Sequence, residues 1–197
     1  VFSQIERINL TNVVLVFVVL MLAYLVFRPK KRHFIQGGIS LSIVTTGFAG
    51  MMFVLMIIFA FQSIYGYVFS SIGILVASFM AGAAAGAMLI TSLLERIKNY
   101  LKVFIKIELA IIGFSMAFPL VFVALPTWLG SAESLFLFMT LFLVISFISG
   151  FLTGSQFPLA NKLYLTRSKS LSRTAGILYA SDLLGGWLGG IIGAVVL

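Results

Sequence analysis

Long apolar runs separated by short polar breaks dominate this chain. Six runs approach the ~20 residues that an α-helix needs to cross the hydrocarbon core of a bilayer. They cover about 10–27, 38–62, 67–94, 104–125, 134–157 and 174–197. The pattern predicts an all-α, polytopic membrane bundle of six transmembrane helices. The breaks differ in kind. Arg28, Lys30, Lys31 and Arg32 follow the first run, Arg96, Lys98, Lys102 and Lys106 the third, and Lys162, Arg167, Lys169 and Arg173 the fifth. The intervening breaks, QSIYGY at 62–67 and PTWLGSAE at 126–133, hold no Lys or Arg. Basic residues are retained on the cytoplasmic side, so the basic breaks are expected there. Tyr65, Tyr67 and Trp128 then fall at the outer interface, where an amphipathic ring suits the headgroup level.

Small residues recur at helical spacing within the runs. Ser78, Gly82, Ala85 and Gly86 form one stripe, and Ser146, Gly150, Thr153 and Gly154 a second. In the last run Gly186, Gly189 and Gly193 share a face with Asp182. Such stripes let helix backbones approach closely, as expected of a compact bundle. They serve equally for contacts between subunits, which keeps a homo-oligomer open. Pro119 and Pro158 each free a backbone carbonyl and are read as helix kinks.

Composition agrees with burial in lipid: 61% of the 197 residues are hydrophobic, 9% are charged, and the mean hydropathy is +1.19. The net charge of +8 lies in short clusters with no aromatic interleaving, which argues against nucleic-acid binding. The basic loops touch anionic lipid instead. With no cysteine and only His33, the chain has no means for disulfides, iron–sulfur ligation or a histidine-built metal site, and no cofactor is expected. Val1 in place of an initiator methionine, and the halt of Leu197 within an apolar run, read as part of a longer protein, truncated at its C-terminus.

The chemistry lies in a few polar residues at membrane depth. A carboxylate there costs about 2.5–3.5 kcal/mol on insertion scales, so it should face a partner, water or a ligand. Glu108 stands two residues past Lys106. Asp182 stands nine residues past Arg173, about 13 Å along a helix. Gln156 and Tyr179 fall near the same level. Glu108, Gln156, Tyr179 and Asp182, with Lys106 nearby, are therefore the candidate ligand-binding set, suited to a cation or a proton. The opposing reading is an ion pair of Lys106 with Asp182 or Glu108 that only fixes helix register. Gln62 suits a helix cap or an interhelical hydrogen bond. Signatures of soluble enzymes, such as phosphate-binding loops and nucleophile sets, are missing, so no complete catalytic site is expected.

Three phrases, FAFQSIYGYVFSSIGILVASFMAGAAAGAML at 59–89, GFLTGSQFPLANKLYL at 150–165 and GILYASDLLGGWLGG at 176–190, resemble the membrane region of bacterial spermidine synthase-like proteins. The resemblance covers roughly 36–197 and implies an inner-membrane domain accompanying a soluble aminopropyltransferase-like domain. The transferase site of that family resides in the soluble domain, which is not recognisable here. The same region resembles half of a major facilitator transporter, with GAAAGAMLITSLLERIKN at 82–99 as its basic loop. It departs from that pattern in lacking an Asp-Arg pair before Arg96, which removes coupling by that motif. The implied division is an extra helix and basic loop at 1–35 and a transporter-like five-helix unit at 36–197. The implied role is binding or passage of a small cationic or amphiphilic molecule. The alternative is a membrane anchor or assembly subunit for a soluble enzyme or electron-transfer partner.

Overall fold

The computed structural model describes residues 34–66, 69–128, 135–166 and 170–196. Five helices make up nearly all of them: α1 (Phe34–Tyr65), α2 (Phe69–Leu93), α3 (Tyr100–Trp128), α4 (Leu135–Leu165) and α5 (Leu171–Val196). The structure thus supports five helices rather than six. The first expected span and its basic cluster lie outside the described residues, as do Tyr67, Arg167, Lys169 and the side chains of Tyr65, Pro119 and Trp128. Among the described residues four helices, all but α3, are long and apolar enough to cross a membrane. α3 brings Lys102, Lys106 and Glu108 into its opening turns.

Local chemistry sets several helix ends. Asn99 caps α3, its Oδ1 accepting from the Lys102 N–H at 3.2 Å, and Ser170 Oγ accepts from the Arg173 N–H at 3.4 Å to start α5. Gly66 ends α1. Its φ of 75° is open to glycine at no steric cost, and its N–H donates to the Gln62 carbonyl at 2.9 Å. The backbone of Gln62 thus takes part in this helix ending. Helix α4 continues through Pro158.

Register between helices reveals the topology. Along α2 and α4, Leu75 meets Ser146, Gly82 meets Phe147 and Gly86 meets Phe151 and Ser155, so these helices run parallel. Val44 meets Gly185 and Phe48 meets Gly189, so α1 and α5 are parallel too. Thr46 meets Gln156 and Gly50 meets Thr153, which makes α4 antiparallel to α1. Ser42 meets Glu108 and Phe53 meets Phe114, which makes α3 parallel to α1. The chain alternates up and down, and the α2–α3 and α4–α5 connections fall at one end of the bundle. Among the described residues that end carries Arg96, Lys98, Lys102, Lys106, Arg173 and Lys162, whose Nζ sits 5.9 Å from the centre of the Tyr100 ring. α4 touches all four other helices, whereas α2 packs chiefly on α4 and α5 chiefly on α1.

The small residues make these intimate pairings. A Cβ on Gly82, Gly86, Gly150 or Gly154 would strike the backbone of the facing helix, at Phe147, Phe151, Phe79 and Ala83 respectively. Ser78 donates to the Leu143 carbonyl at 2.9 Å and Ser146 to the Leu75 carbonyl at 2.8 Å, which crosslinks α2 and α4 in both directions. Ala83 also lines the α2 side, against Gly150 and Gly154. On α5 the contact face is Ser181, Gly185, Gly189 and Gly193, all buried. This corrects the expected face. At Gly186 an added Cβ would meet only the Gly47 carbonyl at 3.9 Å, while Gly185 lies against the Val44 carbonyl. The physical reason is the four-residue repeat of 185, 189 and 193, which keeps one stripe in a groove; Gly186 lies a full residue, about 100°, around the helix.

Two apolar clusters fill the interior. Ile39, Ile43, Ile90, Phe104, Leu159, Ala160 and Leu178 lie towards the basic end. Phe53, Ile57, Phe61, Leu75, Ile111, Phe118 and Phe142 lie beyond them, with Phe53 edge-on to Phe114 at 5.2 Å and Phe61 edge-on to Phe142 at 5.6 Å.

Candidate functional site

Between the two clusters runs a polar layer. On α1 it falls after Ile39 and before Phe53, on the helix face beside Ile43, on α3 between Phe104 and Ile111, and on α4 before Leu159. Ser42, Thr45 and Thr46 come from α1, Glu108 from α3 and Gln156 from α4. Their spacing on α1, at i, i+3 and i+4, sets three hydroxyls side by side. Glu108 lies eight residues into α3, about 12 Å from its start.

The hydrogen bonds converge on the carboxylate. Ser42 Oγ donates to Glu108 Oε2 at 2.8 Å. Gln156 Nε2 donates to the same oxygen and to Ser42 Oγ, the latter at 3.0 Å. The other end of the amide, Gln156 Oε1, accepts from Thr46 Oγ1, whose hydroxyl can also donate to the Ser42 carbonyl at 2.9 Å. Gln156 is 0% exposed and is held from three sides, so it is a fixed strut between α1 and Glu108. Glu108 Oε1 is served less well. Among the described residues it has only Thr45 Oγ1 at 3.4 Å, and that hydroxyl lies closer to the Ser42 carbonyl, at 2.8 Å. No ion pair forms among the described residues, and no group of three or more potential metal ligands occurs among them.

Of the expected set, the structure joins Glu108 and Gln156 and separates the others. Lys106 is exposed on α3 and pairs with neither Glu108 nor Asp182, because two residues turn a helix by about 200°. Tyr179 is 58% exposed and points away from the layer. Asp182 is half-buried on another side of α1, where a Cβ on Gly47 would stand 2.7 Å from its Oδ1. Its carboxylate has no hydrogen bond among the described residues. α1 is thus flanked by two acids, Asp182 at Gly47 and Glu108 beside Ser42 and Thr45. Ser42, Thr45, Thr46 and Gly47 were not expected at the site. Their signal was ISLSIVTTG at 39–47, a polar face inside an otherwise apolar run.

No family model, curated protein or solved structure matches the chain. The arrangement defines a helical membrane protein with a carboxylate-centred polar layer.

Proposed function

We propose that this chain is a membrane domain that binds, and in its full assembly passes, a small cationic or amphiphilic molecule at Glu108. One observation carries the reading: the Glu108 carboxylate, between the two apolar clusters, receives neutral donors from Ser42, Thr45 and Gln156, yet meets no Lys, Arg or His among the described residues. Neutral donors offset desolvation but leave one negative charge, and a bound cation supplies the compensation. Asp182, with no hydrogen bond among the described residues, is a second acid, against Gly47 on another side of α1. The three phrases at 59–89, 150–165 and 176–190 support placement among spermidine synthase-like membrane regions, with an aminopropyltransferase-like domain or other subunit as partner. The alternating helices and the glycine-lined pairs support a facilitator-half-like five-helix unit, with the run at 10–27 as an extra transmembrane helix before it, six in all. The clustering of basic residues at one end supports an inner-membrane location with that end cytoplasmic.

The test is binding of spermidine and simple organic cations to the purified chain in nanodiscs, for wild type, Glu108→Gln and Asp182→Asn. Saturable binding that Glu108→Gln weakens by at least about tenfold is the expected result. Absence of binding in folded wild type would refute the reading and favour the anchor role.

A further inference from the structure

Glu108 stands at the border between the buried and exposed sides of α3. At about 100° per residue, Phe104 and Ile111 lie about 40° and 60° to one side of it, and both are buried. Ile112 and Ile105 lie about 40° and 60° to the other side, and both are half exposed, at 50% and 49%. Leu109 and Met116 continue that outer stripe. On α1 the matching border is Thr45, which is exposed, with exposed Leu41 one turn before it. The two helices touch only sparsely, in contrast to the close α1–α5 and α2–α4 pairs.

The carboxylate itself is two-sided in the same sense. Oε2 is closed off from within by Ser42 and the buried Gln156 amide. Oε1 has, among the described residues, a single long contact, to the exposed Thr45. The exposed apolar residues nearest this carboxylate along their own helices are Leu41, one turn before Thr45 on α1, and Ile105, Leu109 and Ile112 on α3.

We infer that Glu108 takes an amphiphilic monocation, a positively charged centre carrying an apolar body, through the α1–α3 seam from the lipid side. This rests on the reading of Glu108 as a cation site and narrows it. The positive centre meets Oε1, and the apolar body lies along the isoleucine and leucine rim, which costs no burial of polar groups. A slender hydrophilic polycation fits less well. Only one carboxylate serves this layer, and its other ammonium groups would be stranded against apolar side chains.

The experiment uses nanodiscs bearing the chain, with empty nanodiscs subtracted, and titrates tetraphenylphosphonium and spermidine separately. The variants are Glu108→Gln and the exposed rim pair Ile105→Ser with Ile112→Ser. Saturable tetraphenylphosphonium binding at least about tenfold tighter than spermidine binding is expected, lost in Glu108→Gln. The rim pair should weaken tetraphenylphosphonium by at least about tenfold and reduce its advantage over spermidine. If spermidine binds through Glu108 as tightly as tetraphenylphosphonium does, or if the rim pair affects both alike, the amphiphile inference falls while the cation site stands. If neither binds, both fall. Should Glu108→Gln not fold, the rim pair, whose side chains are exposed, decides alone.

Discussion

At the residue scale, the energetic problem is how Glu108 is tolerated in an apolar bundle. Interhelical hydrogen bonds in membranes contribute only about 0.6 kcal/mol each on average, so two or three neutral donors fall short of the insertion cost of a carboxylate. The strut that matters most is Gln156, because its amide links Thr46 to Glu108 and has no water to fall back on. Replacing it with leucine leaves Thr46 and Glu108 each short of a partner. Gln156→Leu should therefore lower stability by about 1–3 kcal/mol, measured by reversible unfolding in mixed micelles, and a change below about 0.5 kcal/mol would show the strut to be idle. Glu108 and Gln156 were legible in the sequence because an acid and an amide stand out within apolar runs. The α1 hydroxyls were not, since Ser and Thr within a membrane helix usually bond back to their own carbonyls, as Ser115 does to Ile111 at 2.8 Å. Lys106 and Tyr179 lie outside the layer because a shared level along the helices does not fix direction around them: Lys106 is about 200° from Glu108, and Tyr179 is 58% exposed.

At the element scale, pairing follows small residues rather than chain order. α2 lies on α4 and α5 on α1 because only those faces allow backbone contact. Gly82, Gly86, Gly150 and Gly154 were readable as a matched pair of stripes. The choice of Gly186 over Gly185 was not resolvable, since LLGGWLGG offers adjacent glycines and only the partner helix selects between them. The two make a sharp comparison. Gly185→Ala drives a methyl group into the Val44 carbonyl and should cost about 1–3 kcal/mol. Gly186→Ala meets only the Gly47 carbonyl, at an ordinary contact distance of 3.9 Å, and should be neutral or stabilising by up to about 1 kcal/mol. Equal effects in thermal denaturation would contradict the α1–α5 register.

At the scale of the whole molecule, alternating helices place both basic connections at one end, and Glu108 and Asp182 in the half nearer to it. The runs from 38 onward already outlined these helices in the sequence. Their neighbours in space were not legible, because apolar faces do not name their partners. The chain has no cysteine, so single substitutions report sidedness cleanly. Lys98→Cys and Ser63→Cys should be labelled by an impermeant maleimide from opposite sides of sealed vesicles, and labelling from the same side would break the topology. The central claim is that Glu108 is the group that meets a cation. It is tested most directly by the infrared difference spectrum on adding tetraphenylphosphonium to the chain in nanodiscs. The account predicts a shift of a carboxylate stretching band that persists in Asp182→Asn and vanishes in Glu108→Gln; a band change that survives in Glu108→Gln, or none in wild type at saturating cation, would contradict it.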